Sequence, residues 1–140
     1  MKTRVVTYGL VAVLAFLSGS AAAQPDDRTR VFNAPVDRVF TVTRSMLKSL
    51  GWDIDQEDRE VGWIRTDSRR LDGEDYGVYA KGAKHRLRVV MKAQDGKTTV
   101  TVERRVWKEE RILWMDKAED LVAPDRAVEK QVLDAIARSL

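Results

Sequence analysis

An Asp-Gly pair at positions 95–96 constrains the fold of this 140-residue chain more than any other feature. The pair joins two stretches in which apolar and polar residues alternate, and Asp-Gly is preferred where both residues of a two-residue hairpin loop take positive φ. A loop of that length fixes the pairing register of the strands. Gln94 then faces Lys97, and this register predicts the further pairs Met91–Val100, Val89–Val102 and Arg88–Glu103.

The predicted register divides the hairpin into two chemically different faces, because successive side chains of a strand point to opposite sides of the sheet. The apolar face contains Leu87, Val89, Met91, Val100 and Val102. The opposite face is polar and largely basic, and contains Arg86, Arg88, Lys92, Thr99, Thr101, Glu103 and Arg105. The apolar face must be covered by other elements of the chain.

Two predicted helices can provide that cover. Pro35 suits the first position of a helix, because the missing N–H has no partner there, and Gly51 is predicted to end this helix. Its apolar stripe contains Val36, Val39, Phe40, Thr43, Leu47 and Leu50. Pro124 is predicted to open a C-terminal helix, with a buried stripe of Val128, Val132, Ala135 and Ile136 and with Leu133 beside it.

Alternating patterns predict further strands around the hairpin. Trp52 and Ile54 lie on the buried side of one strand, which a charged turn at 57–60 follows, and in the strand at 61–66 Ile64 is predicted to face away from Trp63. Short or ambiguous segments are a strand at Val31–Phe32 and a polar loop at 67–84 that could hold a strand at 76–80. The segment at 106–115 fits either a continued strand or an irregular packed segment, and we favour the strand. The predicted fold class is α+β: an antiparallel sheet of four to six strands, with a long N-terminal helix and a C-terminal helix packed on one face.

The N-terminal residues have the order of an export signal. Lys2 and Arg4 precede an apolar run at 11–17, which is followed by small residues at 18–23. The run is shorter than the roughly 20 residues that span a bilayer. We therefore predict a signal peptide at 1–23 cleaved after Ala23, a flexible leader at 24–30, a single domain at 31–140, and a periplasmic location. With 0 Cys, the chain has no cysteine for lipid attachment or for a disulfide.

The charge balance argues against a general nucleic-acid binder. The formal net charge is +3, and removal of residues 1–23 leaves 23 basic and 22 acidic residues, or +1. With 34% charged residues of both signs, any basic surface must come from local arrangement. We expect an envelope protein as the partner, with an anionic envelope polymer such as lipopolysaccharide or peptidoglycan as the alternative, and we expect neither nucleic acid nor a transmembrane span or lipid anchor.

The sequence has no pattern that predicts catalysis, and we expect neither an enzyme, a metal nor a cofactor. His85 is the only histidine; without cysteine it makes no metal-ligand spacing or catalytic triad, and we predict that it lies at the surface. The acidic clusters at 53–60 and 72–75 do not match the spacing of a calcium-binding loop.

The candidate partner-binding residues combine aromatic and basic side chains. Trp63 and Trp107 have the strand parity of the basic hairpin face, and exposed aromatic and arginine side chains are enriched at binding hot spots. The predicted site therefore contains Trp63, Arg86, Arg88, Lys92, Arg105 and Trp107. In the alternative interpretation, the two tryptophan rings cover an edge of the sheet or pack under the long loop.

Several local phrases resemble a known family. These are the segments 32–40 and 50–52, then Asp58 and the segment 61–66. Together they resemble the BamC-like (NlpB/DapX) envelope protein domain of helix-grip type. The resemblance implies a curved antiparallel sheet gripping a long helix, an accessory role in assembling outer-membrane β-barrel proteins, and no catalytic residues. Because some helix-grip folds bind ligands, a carrier of a small apolar molecule between sheet and helix is the alternative function.

Overall fold

The computed structural model describes residues 26–71, 82–123 and 125–140. The predicted signal peptide with its cleavage site, the strand at 76–80 and Pro124 lie outside these ranges. In chain order the elements are β1 (Thr29–Phe32), α1 (Val36–Ser49), β2 (Ile54–Asp58), β3 (Trp63–Thr66), β4 (Arg69–Arg70), β5 (Ala83–Gln94), β6 (Lys97–Ile112), β7 (Met115–Leu121) and α2 (Ala127–Ser139).

The strands form one open antiparallel sheet in the order β1-β6-β5-β3-β2. β4 also pairs with β5, and β7 pairs with the distal part of β6, which gives seven strands in the described residues. The prediction of an α+β fold with an antiparallel sheet is confirmed, but the predicted four to six strands are too few. The two-residue β4 is too short to leave an alternating pattern, and the hairpin of β6 and β7 has no typical turn residues that would reveal it in the sequence.

The hairpin of β5 and β6, which we call the first hairpin, has the predicted register in every pair. Gln94 lies opposite Lys97, and the pairs Met91–Val100, Val89–Val102 and Arg88–Glu103 follow. Asp95 has a φ of 52° and Gly96 a φ of 75°, the conformation for which this pair of residues is preferred. The turn chemistry therefore sets which side chains of β5 and β6 face the core.

Helix α1 follows the predicted stripe and the predicted end. It begins at Val36, one residue after Pro35, and has 14 residues against 13 in α2, so the expectation of a long N-terminal helix is not matched exactly. Gly51 has a φ of +80° and donates its N–H to Lys48, while the N–H of Trp52 reaches the carbonyl of Leu47 at 2.8 Å. This pattern closes the last turn of the helix and directs the chain into β2.

Both helices pack on the same face of the sheet. Side chains of α1 and α2 meet the apolar side of the first hairpin in one buried cluster, which contains among others Phe40, Leu47, Ile64, Leu87, Val89, Val100, Val102, Val132, Leu133 and Ile136. Each of these ten side chains is at most 2% exposed. The opposite face of the sheet therefore has no helix over it in the described residues.

Three predicted boundaries are corrected by strand pairing. Thr29 and Arg30 pair with β6 and so belong to the sheet rather than to a flexible leader. β2 continues to Asp58 through half of the predicted turn at 57–60, because its backbone pairs with β3. Within the predicted loop at 67–84, β4 pairs with the first residues of β5. No helix in the described part of the chain is long and apolar enough to cross a membrane.

Candidate functional site

The helix-free face of the sheet contains a cavity of about 410 Å³ where β3, β5 and β6 lie side by side. Trp63 and Arg65 come from β3, Arg86 and Arg88 from β5, and Arg105 from β6, with Glu103 and Arg104 completing the lining. The cavity therefore brings together four of the six predicted site residues, and five of its seven lining residues are arginines. We call this region, Trp63, Arg65, Arg86, Arg88, Glu103, Arg104 and Arg105, the open-face cavity.

Trp107 lies on this face but is covered by two arginines. Arg86 and Arg105 are directly paired across β5 and β6, and their guanidinium carbons lie 5.6 and 5.2 Å from the centre of the indole ring. The indole N–H donates to Glu109 at 3.0 Å, and only 6% of the residue is exposed. The prediction that Trp107 is exposed is thus wrong. Its ring is a platform that holds two cations beside the cavity by cation–π attraction.

Carboxylates partly neutralise the arginines of the open-face cavity. Arg65 binds Asp55 at 2.7 Å and Arg105 binds Asp120 at 2.8 Å. Arg88 is only 3.8 Å from Glu103, a long ion pair between exposed side chains. These pairs are partly open to solvent, so each contributes about 0–1 kcal/mol to stability and can exchange for a partner's carboxylate.

Arg86 differs from these arginines. Its guanidinium contacts the Trp107 ring, and no carboxylate of the described residues forms an ion pair with it. An arginine held by an aromatic ring keeps its planar fork of N–H donors free for an incoming carboxylate or phosphate. Arg86 is therefore the side chain of this face best prepared to receive an anion.

Lys92 and Trp63 complete the predicted set. Lys92 lines a separate shallow depression of about 280 Å³ with Val90, Thr99, Thr101 and Glu103, so the structure does not bring it into the open-face cavity. Trp63 is half-buried and lines the cavity wall. Its predicted parity with Arg65, opposite to that of the buried Ile64, is confirmed.

His85 lies on the core face, which corrects its predicted place at the surface. It is 8% exposed, its ring centre is 4.8 Å from that of Trp52, and its Nδ1 accepts a hydrogen bond from Arg104 at 3.1 Å. Burial, with the nearby charges of Arg104 and Arg69, lowers the pKa of His85 from 6.5 to about 4. The ring is therefore neutral at pH 7, is tilted by 58° against the Trp52 ring, and lies on the opposite face of the sheet from Arg86 and Arg88 of the same strand.

Two features have no counterpart in the sequence-based predictions. Glu129 of α2 is fully buried and its two carboxylate oxygens have no hydrogen-bond partner among the described residues; the nearest cation is the Arg126 guanidinium at 3.8 Å. The helical spacing alone could have placed Glu129 beside the buried Val132 and Leu133. The second feature is the exposed apolar tip between β6 and β7, where a strand through residue 115 was predicted without a turn.

No family model matches the chain, and no curated protein matches it at a significant level. The function of this chain is therefore inferred from the geometry of the site.

Proposed function

We propose that the protein is a non-enzymatic interaction domain of the periplasm, and that the open-face cavity binds acidic groups on the surface of an envelope protein. A role in assembling or maintaining the outer membrane belongs to this proposal through the resemblance to the BamC-like domain. The observation that supports it best is that the side chains of four arginines, Arg65, Arg86, Arg88 and Arg105, line one cavity with the half-buried Trp63, on a face that has no helix over it in the described residues.

The chemistry of the cavity favours a partner with carboxylates. Arginine presents a planar fork of donors that matches a carboxylate in two parallel hydrogen bonds, and Trp63 offers apolar area beside it. Because Arg88 has only a long contact to Glu103, a carboxylate from a partner can replace that contact at little cost. Arginine and tryptophan are also the residue types that dominate binding energy in protein interfaces.

The alternative, a carrier of a small apolar ligand, needs space between the sheet and α1. In the structure that region is filled by core side chains such as Phe40, Leu47, Leu87 and Val89, which are at most 2% exposed. No observation on the described residues favours the carrier, so the interaction domain is the better hypothesis. A ligand mass retained in native mass spectrometry of protein from its own envelope would reverse this preference.

The proposal is tested by charge reversal on the open face. Crosslinking in intact cells, followed by identification of the joined protein, names the partner, and Arg86→Glu and Arg88→Glu are then compared with the wild type. We expect each variant to weaken binding of that partner at least about tenfold, because a fully formed charged hydrogen bond contributes about 1.5–3 kcal/mol. Circular dichroism checks that the fold is intact.

Lys130→Glu is the matched control. It makes the same charge change on an exposed position of α2, in the opposite layer of the fold. Loss of binding in Arg86→Glu but not in Lys130→Glu supports a contact at the open face. Equal effects of Arg86→Glu and Lys130→Glu would mean that binding depends on the net charge of the protein and not on the open face. Unchanged binding in Arg86→Glu and Arg88→Glu refutes the proposed surface.

A further inference from the structure

The hairpin formed by β6 and β7 ends in an apolar tip. We call residues 106–121 the tip hairpin. Its four consecutive tip residues are all exposed: Ile112 48%, Leu113 78%, Trp114 83% and Met115 65%. Scattered apolar residues are normal on a surface, whereas a contiguous exposed cluster marks an interaction site.

The turn at this tip is unfavourable for the residues that occupy it. Leu113 has a φ of 59°, a left-handed conformation that costs a residue with a Cβ roughly 1–2 kcal/mol, and turns of this kind prefer Gly, Asn or Asp. Leu113 is therefore poorly suited both to its backbone conformation and to exposure, and Trp114 is poorly suited to exposure. Strain and exposure coincide at Leu113, as they do where local stability is given up for function.

The tip projects beyond the rest of the sheet. In the described residues β5 pairs with β6 only as far as Lys108, so the segment after it has β7 as its one neighbour. Ile112 pairs with Met115 and Arg111 with Asp116, so all but the two turn residues are in the strand ladder. Because Ile112 and Met115 pair with each other, a shallow insertion of the tip leaves fewer unpaired backbone groups than insertion of a longer loop would.

The size of the tip matches a shallow insertion. The Ile112–Met115 pair and the turn beyond it extend about 7 Å from the first charged pair, at roughly 3.4 Å per residue. Segments that lie in a bilayer interface are immersed about 5–10 Å, with tryptophan favoured at that depth. The Arg111–Asp116 pair would then remain at the level of the lipid headgroups.

The charges of the tip hairpin specify the kind of surface. From Lys108 to Asp120 there are three basic and five acidic residues, a net charge of −2. An anionic surface would repel this stem, whereas a zwitterionic one would not. A protein partner would need a pocket that matches the shape of the tip, whereas a fluid bilayer needs no matching shape.

We propose that the tip hairpin inserts Ile112, Leu113, Trp114 and Met115 into the interface of a zwitterionic lipid bilayer and so holds the open-face cavity near a membrane surface. The attachment is peripheral, apolar in origin and independent of the arginines on the open face. This goes beyond the proposed function, because partner binding at the cavity does not require it.

Vesicle binding tests the inference. The full chain as its cells produce it, with the same N-terminus in every variant, is mixed with phosphatidylcholine vesicles, and bound protein is measured by flotation. Trp114→Ser should lower the partition coefficient at least about tenfold, since burial of a large apolar side chain contributes a tenfold or larger factor. Val61→Ser is the matched control, because Val61 is 69% exposed at the turn between β2 and β3, away from the tip.

Three further measurements separate the alternatives. Added salt or phosphatidylglycerol should not strengthen binding. Brominated lipid should quench the fluorescence of Trp114, which is measured as the difference between the wild type and Trp114→Phe. Arg86→Glu changes the open face but not the tip, and it should bind vesicles like the wild type. A failure of the open-face proposal can therefore be told apart from a failure of the membrane proposal. Equal binding of wild type and Trp114→Ser overturns the inference, as does a Trp114-dependent dimer that does not bind vesicles.

Discussion

The two hairpins that share strand β6 differ in how well their turn residues suit the backbone and in how much of their surface is buried. The first hairpin, β5 with β6, turns at Asp95 and Gly96, both at positive φ and both suited to it. The tip hairpin turns at Leu113 and Trp114, apolar residues that are 78% and 83% exposed. The first hairpin buries one side under two helices, whereas the residues from 109 to 120 of the tip hairpin are all exposed.

This difference shows how one strand can serve two purposes. In the first hairpin every level of organisation agrees, since turn chemistry, alternation and burial all support the same register, and such consistency is typical of segments that specify a fold. In the tip hairpin Leu113 has an unfavourable φ, and four apolar side chains are exposed to water. We therefore expect stability to depend on the first hairpin and binding to depend on the tip.

The largest expected effect is loss of core packing in the first hairpin. Leu87→Ala removes a fully buried side chain beneath the helices and should lower the free energy of unfolding by about 2–5 kcal/mol. Ile112→Ala, at a position that is 48% exposed, should change it by less than about 0.5 kcal/mol. Urea denaturation measures both. Similar losses of unfolding free energy in the two variants would mean that the tip hairpin is packed in solution. The tip hairpin and the first hairpin would then not differ in their contribution to stability.

A smaller effect should come from pH, through His85 of the first hairpin. Because the folded-state pKa is about 4 and the ordinary value is 6.5, the unfolded chain binds this proton more readily than the folded chain. Stability from this group is complete above about pH 6.5 and is lost as the pH falls towards 4, by about 2–3 kcal/mol. Urea denaturation between pH 7 and 4 checks this, with His85→Gln as the control that should show a flatter dependence. An unchanged slope in that variant would contradict the burial of a neutral ring.

The smallest expected effects are those of the turns, and they have opposite signs. Gly96→Ala should lower the free energy of unfolding by about 1 kcal/mol, because no atom lies within 4 Å of the new Cβ and only its φ of +75° opposes the change. Leu113→Gly should leave it unchanged or raise it by up to about 1 kcal/mol, since glycine accepts positive φ. Thermal denaturation of the pair decides, and a clear loss of stability in Leu113→Gly would mean that the Leu113 side chain stabilises the fold.

Local chemistry made much of the fold predictable. The register of the first hairpin, the stripe and end of α1, and the opposite directions of Ile64 and Trp63 each depend on neighbours in sequence, and each is confirmed. The same parity identified the basic face, and four of its six predicted residues line one cavity.

The errors arise where contacts distant in sequence decide. Trp107 has the parity of the open face, but Arg86 from the neighbouring strand covers its ring. His85 has the parity of the core face, and its ring is buried next to Trp52 and Arg104, which are distant from it in sequence. The tip hairpin was missed because Leu113 and Trp114 are not turn residues, so no local signal interrupts the strand pattern.

The sequence by itself determined the faces of the strands and helices, because alternation, caps and an Asp-Gly turn act over a few residues of backbone. Tertiary structure decided which polar and aromatic side chains became accessible, because that depends on cross-strand neighbours and on the layer that the helices cover. Arg86 illustrates both: its parity placed it on the open face, and its cation–π contact with Trp107 leaves its donors available to a partner.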